Sequence, residues 1–180
     1  NQLHDLLGPK GILLDEDITE KYSHDVMGVS LGQPLAVLRP LSTEEVSAAL
    51  KLCHHHQQPI CVHGGNTGLV LGGVPLDGEI VISLERMNKI EDLDPNAATM
   101  SVQAGAVLQQ VQEAADDADF MFPLDLGARG SCTIGGNIST NAGGNRVLRY
   151  GMMRDMVLGL EVVMPNGTVM NAMNTLIKNN

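Results

Sequence analysis

A strand-like run that passes straight into glycine-rich backbone sets narrow limits on the architecture of this chain. Pro59-Ile60-Cys61-Val62 begins an apolar strand. His63-Gly64-Gly65-Asn66-Thr67-Gly68-Leu69-Val70-Leu71-Gly72-Gly73 follows it, with no helix pattern after it. Open α/β sheets present their ligand crevice at the carboxyl ends of strands, where such a loop would lie. Glycine at this density lets the backbone take positive φ and turns consecutive N–H groups into one concavity, a nest that binds phosphate oxygens without a lysine. Asn66 and Thr67 add side-chain donors. This is not a Walker loop, because no Gly-Lys-Ser/Thr follows. Gly64, Gly65 and Gly68 also lack the Gly-x-Gly-x-x-Gly spacing. Taken alone, the segment reads equally as a phosphate nest or as a flexible surface loop. His63 either reaches the phosphates or satisfies a local hydrogen bond.

The flanking pattern is α/β. Leu3, Leu6 and Leu7 have the spacing of a short helix ended by Gly8-Pro9. Ala36-Val37-Leu38-Arg39 reads as a buried strand closed by Pro40. Ser42-Thr43-Glu44-Glu45 has capping-box spacing, and Val46, Ala49, Leu50 and Cys53 recur at helical intervals. Strand, helix and strand across residues 36–62 predict a parallel crossover unit. Further strands are expected over Glu79–Leu84 and Thr99–Gln103, and a second amphipathic helix through Val107, Val111 and Ala114-Ala115. Val157–Met164, Pro165-Asn166-Gly167 and Thr168–Met170 read as a β-hairpin with Asn-Gly at its turn.

A second segment carries chemistry. Phe122-Pro123-Leu124-Asp125-Leu126-Gly127 runs into Ser131-Cys132-Thr133-Ile134-Gly135-Gly136-Asn137-Ile138-Ser139-Thr140-Asn141-Ala142-Gly143-Gly144-Asn145. Small residues let backbone lie close to a flat or elongated ligand, and Thr133, Ser139, Thr140 and Asn141 are donors for phosphate, ribityl or ring atoms. Ile134 and Ile138 stand one helical turn apart, so a short helix with its N-terminus at the ligand is expected. Tight-turn glycines explain two or three of these residues but not the whole run.

Charge and cysteine content narrow the function classes. The net charge of −10 argues against a nucleic-acid or anionic-membrane surface. From Leu126 to Arg154 there is no Asp or Glu, yet Arg129, Arg146, Arg149 and Arg154 fall there. An anionic cofactor or substrate explains that stretch, and so does chance spacing of surface arginines. Cys53, Cys61 and Cys132 are odd in number and widely spaced, which favours a reducing compartment over a disulfide framework. Cys132 is expected in a polar loop. His54-His55-His56 at a helix end point in different directions and form no single metal site. Tyr22-Ser23-His24-Asp25 has polar groups without a partner for nucleophilic catalysis. No apolar run approaches the roughly 18–20 residues of a membrane span. The start at Asn1-Gln2-Leu3-His4-Asp5 and the stop at Ile177-Lys178-Asn179-Asn180 read as the ends of a fragment.

With these residues in view, the two glycine-rich segments in this order resemble the FAD-binding domain of the vanillyl-alcohol oxidase (PCMH-type) family. Pro123-Leu124-Asp125-Leu126-Gly127-Ala128-Arg129-Gly130-Ser131-Cys132, Thr140-Asn141-Ala142-Gly143-Gly144, Leu148-Arg149-Tyr150-Gly151 and Val157-Leu158-Gly159-Leu160-Glu161-Val162-Val163 are similar to the D-2-hydroxyglutarate dehydrogenase branch, near D-lactate dehydrogenases and glycolate oxidase subunits. The resemblance implies an α+β fold: a small parallel α/β subdomain, then the start of a mainly antiparallel β subdomain with helices, with FAD between them. Residues 1–35 would be an N-terminal extension, 36–104 the first FAD-binding subdomain, and 105–180 the second, incomplete and without its substrate domain.

The resemblance also implies residue roles. Val62, His63, Gly64, Gly65, Asn66, Thr67 and Gly68 would wrap the FAD pyrophosphate, with Leu69 a further cofactor contact. Pro123, Asp125, Gly127, Ser131 and Thr133 would line the flavin and ribityl region, and Gly135, Gly136, Thr140, Asn141, Ala142 and Gly143 would complete the pocket. Thr67 stands where some relatives carry a flavin-linking histidine, which implies non-covalent FAD. The metal-holding histidines and acid, the basic residues for the substrate carboxylate and a later FAD segment lie beyond position 180. No catalytic residue or metal ligand is therefore assigned here, and a divalent metal belongs to the full-length protein only. The implied activity is oxidation of a D-2-hydroxy acid, D-2-hydroxyglutarate-like first and D-lactate second. Hydride would pass to flavin N5 and electrons to a separate acceptor. A homodimer is left open, and bacterial cytoplasm and mitochondrial matrix fit equally. A nicotinamide-dependent reductase on the same fold competes with this reading, as does a fragment that neither holds FAD nor catalyses.

Overall fold

The computed structural model describes residues 2–174; the terminal Ile177-Lys178-Asn179-Asn180 lies outside the described residues. Helix α1 (Gln2–Leu7) stops at Gly8, whose φ of +67° only glycine adopts without strain, and strand β1 (Ile12–Leu13) follows. β2 (Ala36–Leu38) leads into α2 (Thr43–His55). The forward half of its capping box is formed, with Ser42 accepting the Glu45 N–H at 3.3 Å, while the Glu45 carboxylate reaches one residue further back and accepts the Leu41 N–H at 2.8 Å. β3 (Ile60–His63) and β4 (Ile80–Ser83) complete a sheet of order β1-β2-β4-β3. β2 and β3 both run parallel to β4, while β1 pairs antiparallel with β2. The expected crossover is present, with β4 inserted between its two strands.

The side-chain alternation of these strands explains their apolar runs. Ala36, Leu38, Ile80 and Ile82 face the α2 stripe of Val46, Ala49, Leu50 and Cys53. Val37, Cys61 and Val81 point the other way and pack with Tyr22. β4 is buried at every position because it has a strand on each side and a covered face above and below.

β5 (Ile90–Asp94) and β6 (Thr99–Val102) pair antiparallel with a bulge between Ile90 and Asp92. β5 was not expected from the sequence, because Glu91, Asp92 and Asp94 interrupt its apolar pattern. α3 (Leu108–Asp117), α4 (Ile134–Ser139) and α5 (Val147–Tyr150) follow. Ala106, Leu108, Val111, Leu124, Cys132, Ile134 and Met153 form a second core. β7 (Leu160–Val163) and β8 (Val169–Ala172) make the expected hairpin, with Gly167 at φ +82°. Residues up to Met87, together with Val162–Met170, form one compact unit, and the described chain from Asn88 otherwise forms the other. Among the described residues, no helix is long and apolar enough to cross a membrane.

Candidate functional site

In the first unit, β3 delivers its last residue, His63, into the core and releases the chain into the glycine-rich loop. Leu84 donates to the His63 carbonyl at 3.1 Å, the last ladder bond before the loop. Among the described residues, no backbone N–H from Gly64 through Gly72 donates to an acceptor of the chain. Backbone donors left this way are satisfied by water or by a ligand. Asn66 and Leu71 take positive φ, at 50° and 60°, and a Cβ at Gly68 or Gly72 would meet only open space. Nothing of the chain therefore stands in the way of a ligand at those two positions.

The loop is held from beneath by side chains. Asn66 turns inward: its Nδ2 donates to the His24 carbonyl, and its Oδ1 lies 2.7 Å from where a Cβ on Gly73 would sit. Its amide is a clamp on the loop. The His63 ring is only 3% exposed, stacks near Tyr22 at 6.3 Å between centroids, and leaves Nε2 without a partner. Burial lowers its pKa, and a backbone hydrogen bond with Gly73 offsets this only in part. Tyr22 belongs to a charged hub: its hydroxyl donates to Glu85 at 2.8 Å, as does the Lys21 ammonium, and Arg39 adds a bond at 3.3 Å. Burial works to raise the Glu85 pKa, but these donors outweigh it and hold the carboxyl below its ordinary range. Sequence reasoning missed this hub, because Glu85 lies 46 to 64 positions from its partners. At the loop's ends, Val62, Gly68 and Leu69 are exposed, while Gly64, Gly65 and Thr67 are partly so.

In the second unit the expected segment is a closed turn–helix–turn. Leu124 is fully buried beside Pro123, and the Asp125 carbonyl accepts the Asn145 N–H at 3.0 Å. Gly144 has φ +88°, and a Cβ there would collide with the Asp125 carbonyl oxygen. The N–H of Gly135 donates to Ala104 at 2.7 Å, and its missing side chain lets α4 seat there, since a Cβ would lie 2.8 Å from that of Ala104. Asn141, at φ 49°, accepts the Arg154 N–H at 3.0 Å. Ala142 packs on the core and its carbonyl accepts from Met153. Gly135, Asn141 and Ala142 thus each have a structural task that sequence reasoning did not separate from ligand contact. Gly127, Ser131 and Thr140 are exposed, and Gly136 and Gly143 are partly so. Thr133 stands at the N-cap position of α4 without a side-chain cap bond, its hydroxyl buried and unpartnered.

Other candidates resolve plainly. Cys132 is a correction: it lies in the second core, not in a polar loop. Burial pushes its thiol up and pushes Cys61 up to about 11, so neither is a thiolate at neutral pH. All three cysteines are free and buried. Ser23 Oγ lies 2.9 Å from His24 Nδ1, but the Asp25 carboxylate accepts the Met27 and Val29 N–H groups and orients no imidazole. Among the described residues, no cluster of His, Cys, Asp or Glu is arranged to hold a metal ion.

This donor set suits FAD. Unsatisfied N–H groups on a glycine loop match a pyrophosphate, and a buried orphan hydroxyl at Thr133 matches a polar atom of the cofactor. A family model described as an FAD binding domain matches residues 34–172. The mitochondrial D-2-hydroxyglutarate dehydrogenase of Danio rerio is 45% identical over 172 residues, covering 96% of this chain and 32% of the relative. A probable mitochondrial D-2-hydroxyglutarate dehydrogenase of Oryza sativa subsp. indica is 46% identical over 175 residues, covering 97% and 31%. Among solved structures, an alkyldihydroxyacetonephosphate synthase superposes with a TM-score of 0.84 at 22% identity, covering 96% of this chain and 37% of its own; that likeness concerns the fold. The chain spans about a third of the length of the curated relatives it matches.

Proposed function

The chain belongs to the FAD-binding domain family, and from that premise we propose that its parent protein is a flavin-dependent dehydrogenase that oxidises a D-2-hydroxy acid. The observation that carries the cofactor reading is the run of unengaged N–H groups from Gly64 to Gly72. The substrate reading rests on relatives named D-2-hydroxyglutarate dehydrogenases, with D-lactate as second choice. FAD, when bound, supplies the two-electron acceptor whose N5 takes the hydride from C2 of the hydroxy acid.

The chain's own part is binding and positioning. Val62 through Leu69 hold the pyrophosphate, mainly through backbone donors, with Asn66 fixing the loop's shape. Pro123, Asp125, Gly127, Ser131 and Thr133 line the ribityl and ring region; Gly135 and Gly136, with Thr140 through Gly143, close the pocket. Thr67 offers no imidazole nitrogen for a histidyl–flavin link, so FAD is held non-covalently. A divalent metal and a separate electron acceptor belong to the parent protein, in bacterial cytoplasm or mitochondrial matrix.

Anaerobic stopped-flow reduction of the full-length flavoprotein tests this. D-2-hydroxyglutarate is expected to bleach the flavin band faster than D-lactate, with NADPH inert. Reduction by NADPH alone would replace the dehydrogenase with the reductase reading. Weaker FAD binding in Gly65→Val is expected in parallel, and flavin that stays with protein denatured in acid would refute non-covalent attachment.

A further inference from the structure

We infer that the second unit carries an oxyanion site built by Arg146 and Arg149. A cleft there is lined by Met121, Asn145, Arg146, Leu148, Arg149 and Tyr150. Arg146 caps the short helix and Arg149 sits three residues on, so the two side chains emerge from neighbouring positions on one turn. Two guanidinium groups, an Asn145 amide and a Tyr150 hydroxyl supply donors there, and the Asp125 carboxylate accepts from the Asn145 amide at 3.5 Å.

The charge there is only partly neutralised, because Asp125 is shared between Arg146 and Asn145. Arg146 reaches Asp125 only at 3.9 Å, and its Nη1 otherwise faces the Met121 sulfur. Arg149 lies over the Tyr150 ring at 5.2 Å, and among the described residues it has no carboxylate within 4.0 Å. Lys21 and Arg39, by contrast, both pair with Glu85. In a chain of net charge −10, two arginines in one cleft without a firm acid partner form a local positive spot. Guanidinium groups bind planar carboxylate and tetrahedral phosphate through paired N–H donors, so the ligand class is a small oxyanion. The first loop offers backbone donors without a cation, and this site is a different chemistry on different residues. It stands whether or not the hydroxy-acid reading holds.

Isothermal titration of the full-length flavin-loaded protein with glutarate, acetate and inorganic phosphate at constant ionic strength tests the site. Saturable binding of at least one anion is expected, weakened about tenfold or more by Arg149→Gln or Arg146→Gln. Arg129→Gln, an exposed arginine outside the cleft, is expected to bind as the wild type does. Tighter glutarate than phosphate binding would assign the site to an organic acid, and the reverse to a phosphate group. Wild-type affinity in both cleft variants, or no saturable binding of any of the three anions, would overturn the site. Failure of hydroxy acids to reduce the wild-type flavin, with anion binding intact, would count only against the dehydrogenase reading.

Discussion

Gly144 and Gly127 look alike in the sequence and differ entirely in the fold. Gly144 combines a left-handed φ of +88° with a direct approach to the Asp125 carbonyl, whereas a Cβ at Gly127 meets nothing. Gly144→Ala is expected to cost about 2–4 kcal/mol by urea unfolding, from strain added to a clash, and Gly127→Ala to stay within about 0.5 kcal/mol. Equal effects would refute the assignment. Two titrating groups of the first unit, His63 and Glu85, also act at this scale. His63 is buried in its neutral form and its pKa is lowered, so the unfolded chain takes up its proton first as pH falls. Its contribution is complete above the ordinary value of 6.5 and is lost as pH drops from there towards the folded pKa. Glu85 follows the same sign lower down: its contribution is present above 4.5 and fades as pH falls through its lowered folded value. Stability measured against pH is therefore expected to begin to decline below 6.5 and to gain a further decline below 4.5. His63→Gln should remove the decline that begins near 6.5, and Glu85→Gln the one that begins near 4.5.

Among the elements, α2 was the most legible, since its cap, its apolar stripe and its length all stand in local sequence. Ser42→Ala is expected to cost about 1 kcal/mol, because it removes the acceptor of the Glu45 N–H. A neutral result by thermal unfolding would mean that water replaces the cap fully. The glycine-rich loop was legible as glycine-rich but not as a shape. Its shape depends on Asn66 reaching His24, a contact across 42 positions that no spacing rule contains. Asn66→Ala is expected to weaken FAD binding about tenfold while changing global stability little, because the clamp orders a surface loop and not a core. A large loss of stability with unchanged FAD affinity would reverse that assignment. β5 escaped the sequence reading for a related reason. A strand with acidic residues at three of its five positions gives no alternation to detect, and it exists because β6 pairs with it.

For the molecule as a whole, ligand binding and folding are one equilibrium. If FAD binds only the folded chain, saturating it at about a hundredfold above its Kd adds roughly 2.7 kcal/mol of stability. A rise in Tm that grows with FAD concentration in the full-length apoprotein is the expected result. A Tm indifferent to FAD would mean that the cofactor is not held by the folded state. At this scale the parallel sheet has a consequence too. β4 is covered on both faces and flanked on both edges, so Val81, which is fully buried, is expected to be less tolerant of a polar replacement than exposed Val62 on β3.

Sequence alone determined β2, α2, β3, β4, α3 and the glycine-rich loops, because these depend on apolar period, caps and turn residues within a few positions, whereas β5 stayed hidden. It also carried the family, through the resemblance of its two glycine-rich segments to that FAD-binding domain. Tertiary structure decided the rest. It placed β4 between β2 and β3, put Cys132 in a core, and gave Gly135 and Gly144 to packing. It turned Asn66 inward and gathered Lys21, Tyr22 and Arg39 on Glu85. The physical reason is common to all of these. A residue's type limits the contacts it can make, but which contact it makes depends on the chain that folding brings beside it from tens of positions away.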